Sequence, residues 1–156
     1  LVHEGTLFLD SRRVDKTLGR YSFLAFSPFQ ILECKQGSVF KNGEFIGHDP
    51  FVELARELDR FNLAPLNLLP PFQGGIAGFL GYELGAYLEN VPIAKRNDLD
   101  FPDCVLGFYD LVIAWDHILS KAYIFSSGFP YVDHDARLKH AESRLNWALA
   151  CVSQVT

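Results

Sequence analysis

Asp116 and His117 are neighbouring side chains that could pass a proton between them. A carboxylate beside an imidazole is a common acid–base pair, because histidine changes its charge near neutral pH. The pair ends a run of aromatic and branched residues that predicts a strand, and neighbours in a strand point to opposite faces. A turn-closing or packing role is therefore the simpler interpretation, with acid–base catalysis as the alternative.

The remaining histidines and the cysteines do not predict a metal or nucleophile site. His134 and His140 are six residues apart, off the i, i+4 spacing of helical zinc ligands. His3 and His48 have no partner at a ligand spacing. The three cysteines are widely separated and form no C-x-x-C motif, which predicts buried free thiols in a reducing cytoplasm. No Ser–His–Asp or Cys–His constellation can be assembled from the sequence.

Residues 70–85 are the most distinctive stretch, because five glycines lie there among large apolar side chains. The spacing lacks the Gly-x-Gly of a dinucleotide fingerprint and the Gly-Lys-Ser/Thr of a P-loop, so phosphate binding is the weaker interpretation. Glycine among Phe, Leu and Ile favours a buried strand that another backbone approaches closely. Residues 82–89 then predict a turn into a short helix.

Local patterns predict that the first 46 residues form an antiparallel meander. Asn42-Gly43 between short apolar–polar alternations is the sequence of a type I′ hairpin turn. The polar residues 11–19 predict a loop. The predicted strands are 6–10, 20–26, 30–35 and the two arms of a hairpin at 38–46.

A first helix follows, with Asp49 as N-cap and Pro50 at the first helical position. Helical spacing predicts that its apolar stripe packs on a sheet and that Glu57 lies on the opposite face. The stripe consists of Phe51, Leu54, Ala55, Leu58 and Phe61.

The second half predicts a hairpin and a last helix. Residues 105–115 form a long apolar strand that turns back into 122–126, and residues 89–100 are irregular. The last helix spans 133–152, with Asp133 or Asp135 as its cap. Its predicted buried stripe consists of Leu138, Ala141, Leu145, Ala148, Leu149 and Val152.

Composition limits the class of protein. The chain has 156 residues, 49% of them hydrophobic, which predicts one globular domain with a substantial core. The formal net charge is −5 and there is no basic run, so nucleic acid and anionic membrane are not expected partners. No apolar run is long enough to span a membrane, and no signal peptide is visible. The chain begins with Leu1 and contains no methionine, so we expect part of a longer protein.

Three blocks of the sequence carry a family resemblance. Residues 71–75 and 78–83 read Pro-Phe-Gln-Gly-Gly and Gly-Phe-Leu-Gly-Tyr-Glu, and residues 101–117 contain Tyr-Asp and Asp-His pairs. With residues 8–24 they resemble the N-terminal region of component I of aminodeoxychorismate synthase and anthranilate synthase. The Phe-Gln-Gly-Gly motif favours the aminodeoxychorismate synthase branch of the family. The matching motif residues are Gly74, Gly75, Gly78, Gly81, Tyr82, Glu83, Tyr109, Asp110, Asp116 and His117.

The resemblance implies an α+β fold in which antiparallel sheets carry two main helices. It implies a cytoplasmic parent that converts chorismate and ammonia to 4-amino-4-deoxychorismate, for p-aminobenzoate and folate. A glutamine amidotransferase would deliver the ammonia, and magnesium would be held by a C-terminal chorismate-binding half that this chain lacks. We expect no catalytic residue, no cofactor and no activity in the 156 residues alone. The alternatives are an anthranilate synthase component I and a non-catalytic module that binds an amino acid or a protein.

The resemblance also implies a pocket for tryptophan near the N-terminus. A carboxylate such as Asp10 can pair an amino group, while Ser11 and Ser22 can donate to a carboxylate. Asp10 stands where the family usually has Glu, which is one methylene longer. The expected pocket residues are Leu9, Asp10, Ser11, Arg20, Tyr21, Ser22 and Phe23, with Tyr21 and Phe23 as apolar walls.

Overall fold

The computed structural model describes residues 5–11, 19–62, 64–90 and 100–153. These residues form antiparallel sheets with two α-helices and one short 3₁₀ helix, which confirms the predicted α+β class. Most of the predicted loop at 11–19 and of the irregular segment at 89–100 lies outside the described residues. No helix in the described ranges is long and apolar enough to cross a membrane. The strands are β1 Leu7–Leu9, β2 Tyr21–Ala25, β3 Gln30–Lys35, β4 Ser38–Lys41, β5 Glu44–Gly47, β6 Gly75–Leu80, β7 Cys104–Tyr109, β8 Leu111–Asp116 and β9 Lys121–Ser126; the helices are α1 Pro50–Arg60, the 3₁₀ helix Tyr82–Tyr87, and α2 His134–Ser153.

The chain length predicts one domain, whereas the structure divides into two compact units. The first unit consists of Leu1–Phe29, Leu63–Gly75 and Phe108–Thr156. The second unit consists of Gln30–Asn62 and Ile76–Gly107.

The sheet of the first unit has the strand order β1-β2-β8-β9 and is antiparallel throughout. Phe26, Leu111, Ile113 and Ala148 form a buried core between this sheet and α2. The sheet of the second unit has the order β5-β4-β3-β7-β6. The predicted meander of the first 46 residues is therefore wrong, because β2 pairs with β8 from the far end of the sequence and β3 begins another sheet.

The local turn and cap predictions are confirmed. Asn42 and Gly43 have φ values of 50° and 84°, as a type I′ turn between β4 and β5 requires. The Asp49 carboxylate accepts hydrogen bonds from the amides of Phe51 and Val52 at 2.9 and 3.1 Å, which caps α1. The 3₁₀ helix follows the glycine-rich stretch, as predicted.

The predicted faces of both helices need correction. In α1 the residue buried against the sheet is Glu57, at 6% exposure, while Leu58 is 48% exposed. Glu57 accepts hydrogen bonds from Gln30 and Lys41, both at 3.0 Å, and these bonds satisfy its charge inside the second unit. A helix face chosen by hydrophobic periodicity alone misses such a pair.

In α2 the N-cap is Asp133, whose carboxylate accepts from the Ala136 amide at 3.0 Å. The predicted apolar stripe is only partly buried: Ala148 is fully buried, whereas Leu138, Leu149 and Val152 are about half exposed. Arg144, which the predicted stripe does not include, also faces inward and donates two hydrogen bonds of 2.9 and 3.0 Å to the buried Asp110 carboxylate.

Residues 105–115 form two strands in place of the single predicted strand. They break at Asp110 between β7 and β8, which belong to different sheets. The prediction of buried thiols holds for Cys34 and Cys104, whereas Cys151 is exposed near the end of α2. Burial raises the pKa of the Cys104 thiol to about 11.

The glycine-rich strand β6 lies at the edge of its sheet, next to β7. A Cβ on Gly78 would lie 2.0 Å from the Val105 carbonyl oxygen, so the two backbones are in close contact at this point. The strand is nevertheless exposed, with Phe79 and Leu80 at 47% and 62% exposure. The prediction of a buried strand is wrong, and that of close backbone approach agrees with the geometry.

Gln73 explains the polar member of the Phe-Gln-Gly-Gly motif. Its side-chain amide is 7% exposed, accepts from the Leu66 amide at 2.9 Å, and donates to the Leu66 carbonyl at 2.8 Å. It also donates to the Pro70 carbonyl at 3.1 Å. The side chain thus bonds to one residue as a neighbouring strand would, and it fixes the loop that leads into β6.

Candidate functional site

The first unit brings Asp10, Ser22 and His117 together at one corner of its sheet. The Ser22 hydroxyl lies 2.5 Å from Asp10 Oδ1 and 2.6 Å from His117 Nε2. Ser22 is 3% exposed, whereas Asp10 and His117 are both exposed. A buried hydroxyl therefore links a carboxylate and an imidazole that remain open to solvent.

Strand pairing explains why these three residues meet. Leu9 of β1 pairs with Phe23, so Asp10 follows on opposite Ser22. Ser22 pairs with Trp115 of β8, and the His117 amide donates to the Arg20 carbonyl at 2.9 Å just beyond the end of β8. Residues at this spacing on neighbouring strands share one face of the sheet.

The hydrogen bond from Ser22 lowers the pKa of the Asp10 carboxyl below its ordinary value. Burial opposes this shift, and smaller lowering effects come from the Ser11 amide and the charge of His117. Asp10 is therefore held as a carboxylate, which is the form that pairs with a cation.

Asp116, the neighbour of His117, has different partners. It is buried and forms a two-oxygen ion pair with Arg20, in which Nη2 lies 2.6 Å from Oδ2 and Nε lies 3.1 and 3.2 Å from the two oxygens. Its Oδ1 also accepts from the Ile118 and Leu119 amides at 3.0 Å. Asp116 therefore closes the β8–β9 turn, which agrees with the simpler interpretation of the Asp-His pair. The Arg20 hydrogen bonds are the main cause that lowers the pKa of Asp116 to about 2.

Acid is expected to destabilise the protein through Asp116. Its pKa is about 2 in the folded protein and 3.8 ordinarily. A carboxyl with a lowered folded pKa contributes stability above its unfolded value and loses that contribution as the pH falls through the folded value. Wild type should therefore exceed Asp116→Asn in free energy of unfolding at neutral pH, and urea titrations should show the difference shrinking from about pH 4 to about pH 2.

Arg56→Gln is the control for this titration, because it breaks an exposed ion pair with Glu53. Its difference from wild type should stay small across the same pH range. A gap between wild type and Asp116→Asn that is constant from pH 7 down to about 2 would contradict the assignment.

The structure separates the residues that the sequence predicts as one pocket. Asp10 and Ser22 lie on one face of the sheet, whereas Leu9 and its partner Phe23 lie on the other, together with Tyr21. Tyr21 and Phe23 are 5.9 Å apart between ring centroids, and Phe23 contacts the ring of Phe72 edge-on at 5.7 Å. These two aromatic rings therefore pack with each other and with the loop before β6.

Ser11 and Arg20, the other two residues of the predicted pocket, lie outside both of these groups. Ser11 is exposed just after Asp10. Both the Nε and Nη2 donors of Arg20 are taken by Asp116, and its guanidinium lies 4.8 Å from the Tyr21 ring centroid. Arg20 thus orders the turn that carries His117.

Two apolar residues that the sequence did not assign to the site share the face of Ser22. Trp115 pairs directly with Ser22, and Phe8 of β1 pairs with Leu24 and is 58% exposed. For His117 the sequence predicted a turn-closing or packing role, with acid–base catalysis as the alternative, and no part in the amino-acid pocket. The signal that would have found these residues is the register between β1, β2 and β8, which no local pattern gives.

The corner can bind a cation and does not have the geometry for nucleophilic catalysis. In a Ser–His–Asp triad the histidine lies between the serine and the carboxylate. Here the serine lies between the other two, so no base lies between the carboxylate and the hydroxyl. Among the described residues, no group of three or more His, Cys, Asp and Glu side chains is placed to hold a metal ion.

The chain is similar in sequence to two kinds of component I enzyme. No protein-family model matches the chain. Aminodeoxychorismate synthase component 1 of Klebsiella aerogenes is 34% identical over 143 residues, which cover 88% of this chain and 31% of the relative. Anthranilate synthase component 1 of Streptomyces coelicolor is 30% identical over 150 residues, which cover 94% of this chain and 26% of the relative. The chain is a homologue of both component I enzymes.

A shorter sequence match and a solved structure are also component I proteins. Aminodeoxychorismate synthase component 1 of Escherichia coli K12 is 40% identical over 70 residues, 44% of this chain and 16% of the relative. The crystal structure of anthranilate synthase component I from Streptococcus pneumoniae TIGR4 superposes with a TM-score of 0.66 at 22% identity. That match covers 95% of this chain and 32% of the solved chain, and it shows a shared fold. The chain thus spans less than a third of each of these component I proteins.

Proposed function

We propose that the chain is the N-terminal scaffold and regulatory region of an aminodeoxychorismate synthase component I. The homology over 88% of the chain to the Klebsiella aerogenes protein supports this proposal, at an identity of 34% against 30% for the Streptomyces coelicolor anthranilate synthase. The Phe-Gln-Gly-Gly motif, in which Gln73 fixes the loop before β6, favours the same branch.

The parent protein would convert chorismate and ammonia to 4-amino-4-deoxychorismate, a precursor of p-aminobenzoate and folate. A glutamine amidotransferase would supply the ammonia in the cytoplasm. The described residues do not fit a magnesium site, since no cluster of carboxylates among them is placed to hold one. In the parent protein, magnesium would be held by the chorismate-binding half.

Anthranilate synthase component I is the second candidate. Several of its members are 30 to 31% identical over 74 to 94% of the chain, and the solved structure is of this kind. A non-catalytic module of the same fold is the third candidate. It would retain this fold, and bind an amino acid or a protein, without a chorismate-binding half.

Product analysis is expected to separate the first two candidates. The full-length protein that contains this chain, incubated with chorismate, ammonia and magnesium, should release 4-amino-4-deoxychorismate, identified by mass spectrometry and by conversion to p-aminobenzoate with a lyase. The 156-residue chain alone is the matched control and should give no product. Release of anthranilate would contradict the choice of branch, and absence of any product would favour the non-catalytic module.

For the chain's own role we propose an amino-acid site, of the tryptophan type, at the Asp10–Ser22–His117 corner. The Asp10 carboxylate offers an exposed partner for an ammonium group. The exposed Ser11 hydroxyl can donate to the carboxylate of the ligand. Trp115 and Phe8 share this face and are the apolar residues that an indole would contact.

The Ser22 hydroxyl is already engaged by Asp10 and His117, so Ser11 is the hydroxyl left for the ligand's carboxylate. Ser11→Ala is therefore expected to weaken tryptophan binding about tenfold, as the loss of one hydrogen bond to a charged group would do. Isothermal calorimetry with L-tryptophan measures this change. Ser143→Ala, on the exposed side of α2, is the matched control and should bind as wild type does. No heat with the wild-type chain would remove the tryptophan site.

A further inference from the structure

His117 has a hydrogen-bond role that follows from counting protons at Ser22. The hydroxyl has one hydrogen, yet it lies within bonding distance of both Asp10 Oδ1, at 2.5 Å, and His117 Nε2, at 2.6 Å. Each contact needs its own hydrogen. One of the two must therefore come from Asp10 or from His117.

The surroundings decide in favour of His117. An aspartic acid has an ordinary pKa of 3.8, so the Asp10 carboxyl carries no proton at neutral pH. The Ser22 hydrogen must then point to Asp10, and the second hydrogen belongs to Nε2 of His117. The chain of donors runs from His117 to Ser22 to Asp10, and it ends on a carboxylate.

This chain orients Asp10 for a ligand. With one of its lone pairs accepting from the imidazole N–H, the Ser22 hydroxyl keeps its own hydrogen for Asp10. One carboxylate oxygen accepts from Ser22 and the Ser11 amide adds a further bond, while Asp10 itself is exposed. A carboxylate that is held in place loses less freedom when it pairs with an ammonium group.

We propose that His117 is a positioning residue for an ammonium subsite at Asp10, and that it acts through Ser22 without touching the ligand's ammonium group. This role rests on the amino-acid site proposed above. It adds a residue from the β8–β9 turn to that site, and the Arg20–Asp116 ion pair holds that turn in place.

Binding of two ligands to three proteins tests the role. L-tryptophan carries the ammonium group, and indole-3-propionate is the same molecule without it. His117→Phe, which removes the donor, should weaken L-tryptophan binding by about tenfold and change indole-3-propionate binding less than twofold. His117→Gln can place an amide N–H near the position of Nε2 and should stay within about threefold of wild type for both ligands.

These measurements distinguish a failure of the positioning role from a failure of the amino-acid site. If wild type binds L-tryptophan and His117→Phe binds it equally well, or loses both ligands equally, the positioning role is overturned while the site remains. If wild type binds no L-tryptophan, the site itself is overturned and the positioning role with it.

The tautomer of His117 gives a readout without any ligand. In the folded full chain at about pH 8, nitrogen-15 spectra should show the proton on Nε2 and none on Nδ1. In Ser22→Ala the Nε2 resonance should move, because its acceptor is gone. A proton on Nδ1 with Nε2 bare would mean that Ser22 donates to the imidazole, and it would overturn the proposal.

Discussion

Alanine in place of Gly78 is expected to lower the free energy of unfolding by about 3 kcal/mol, the upper end of what overpacking costs. The added Cβ would lie 2.0 Å from the Val105 carbonyl oxygen and 3.0 Å from the Leu106 Cα. Both are backbone atoms of β7, so they cannot move aside as a flexible side chain would. The edge strand β6 would have to separate from β7 to make room.

Urea unfolding followed by circular dichroism measures this loss. Gly85→Ala is the matched control, because a Cβ at Gly85 meets no atom within 4 Å. It should unfold within about 0.5 kcal/mol of wild type. If Gly78→Ala were as stable as this control, the close approach of β6 to β7 would not exist in solution.

Removal of the Asp110 carboxylate is expected to cost about 3–5 kcal/mol, the range for breaking a buried ion pair from one side. Asp110 is 1% exposed and receives two hydrogen bonds from Arg144, whose Nη2 also donates to the Ser27 carbonyl at 3.1 Å. Asp110→Ala would leave the Arg144 guanidinium, which is only 19% exposed, without its counter-charge.

Thermal and urea unfolding of Asp110→Ala should show the loss, and Arg56→Ala provides the comparison. Arg56 pairs with Glu53 at 2.6 Å on the surface with its side chain 66% exposed, so its loss should cost less than about 1 kcal/mol. The double variant Asp110→Ala, Arg144→Met should recover part of the stability, because the guanidinium that would be left without its carboxylate is also removed. If Asp110→Ala and Arg56→Ala lowered the free energy of unfolding by the same amount, the proposed contribution of the buried Asp110–Arg144 pair to stability would be contradicted.

Short-range chemistry could be predicted from the sequence because its partners are neighbours in the chain. Asn42-Gly43 determines a turn through its own backbone conformations, and Asp49-Pro50 caps a helix within its first turn. The β8–β9 hairpin and the 3₁₀ helix after the glycines are of the same kind. Such features do not depend on what the rest of the molecule does.

Long-range pairing could not be predicted in the same way. The sequence offers no local reason for β2 to pair with β8 or for the chain to change sheets at Asp110. The faces of the helices follow from the same long-range pairs. Gln30 and Lys41 satisfy the buried Glu57 of α1, and Asp110 pairs with Arg144 of α2, so periodicity alone misses polar residues on the inner side of both helices.

The candidate site was predictable in part. Asp10 and Ser22 were expected to contribute polar groups, and they do lie together. The alternation of β2 then puts Tyr21 and Phe23 on the other face, although the family resemblance groups them with Ser22. The contact of His117 with Ser22 depends on the register of the strands around it, which the sequence leaves open.

The opposite directions of Asp116 and His117 make the alignment of β8 on β2 a matter of charge as well as of burial. Sliding one strand past the other by a single residue would turn Asp116 toward Asp10 and His117 toward Arg20. Two anions would then face each other at one point, and at the other the Arg20 guanidinium would lose its carboxylate partner. Charge repulsion would therefore disfavour the shifted register in addition to any loss of apolar burial. The alternation of Asp116 and His117 thus favours the native pairing of β8 with β2.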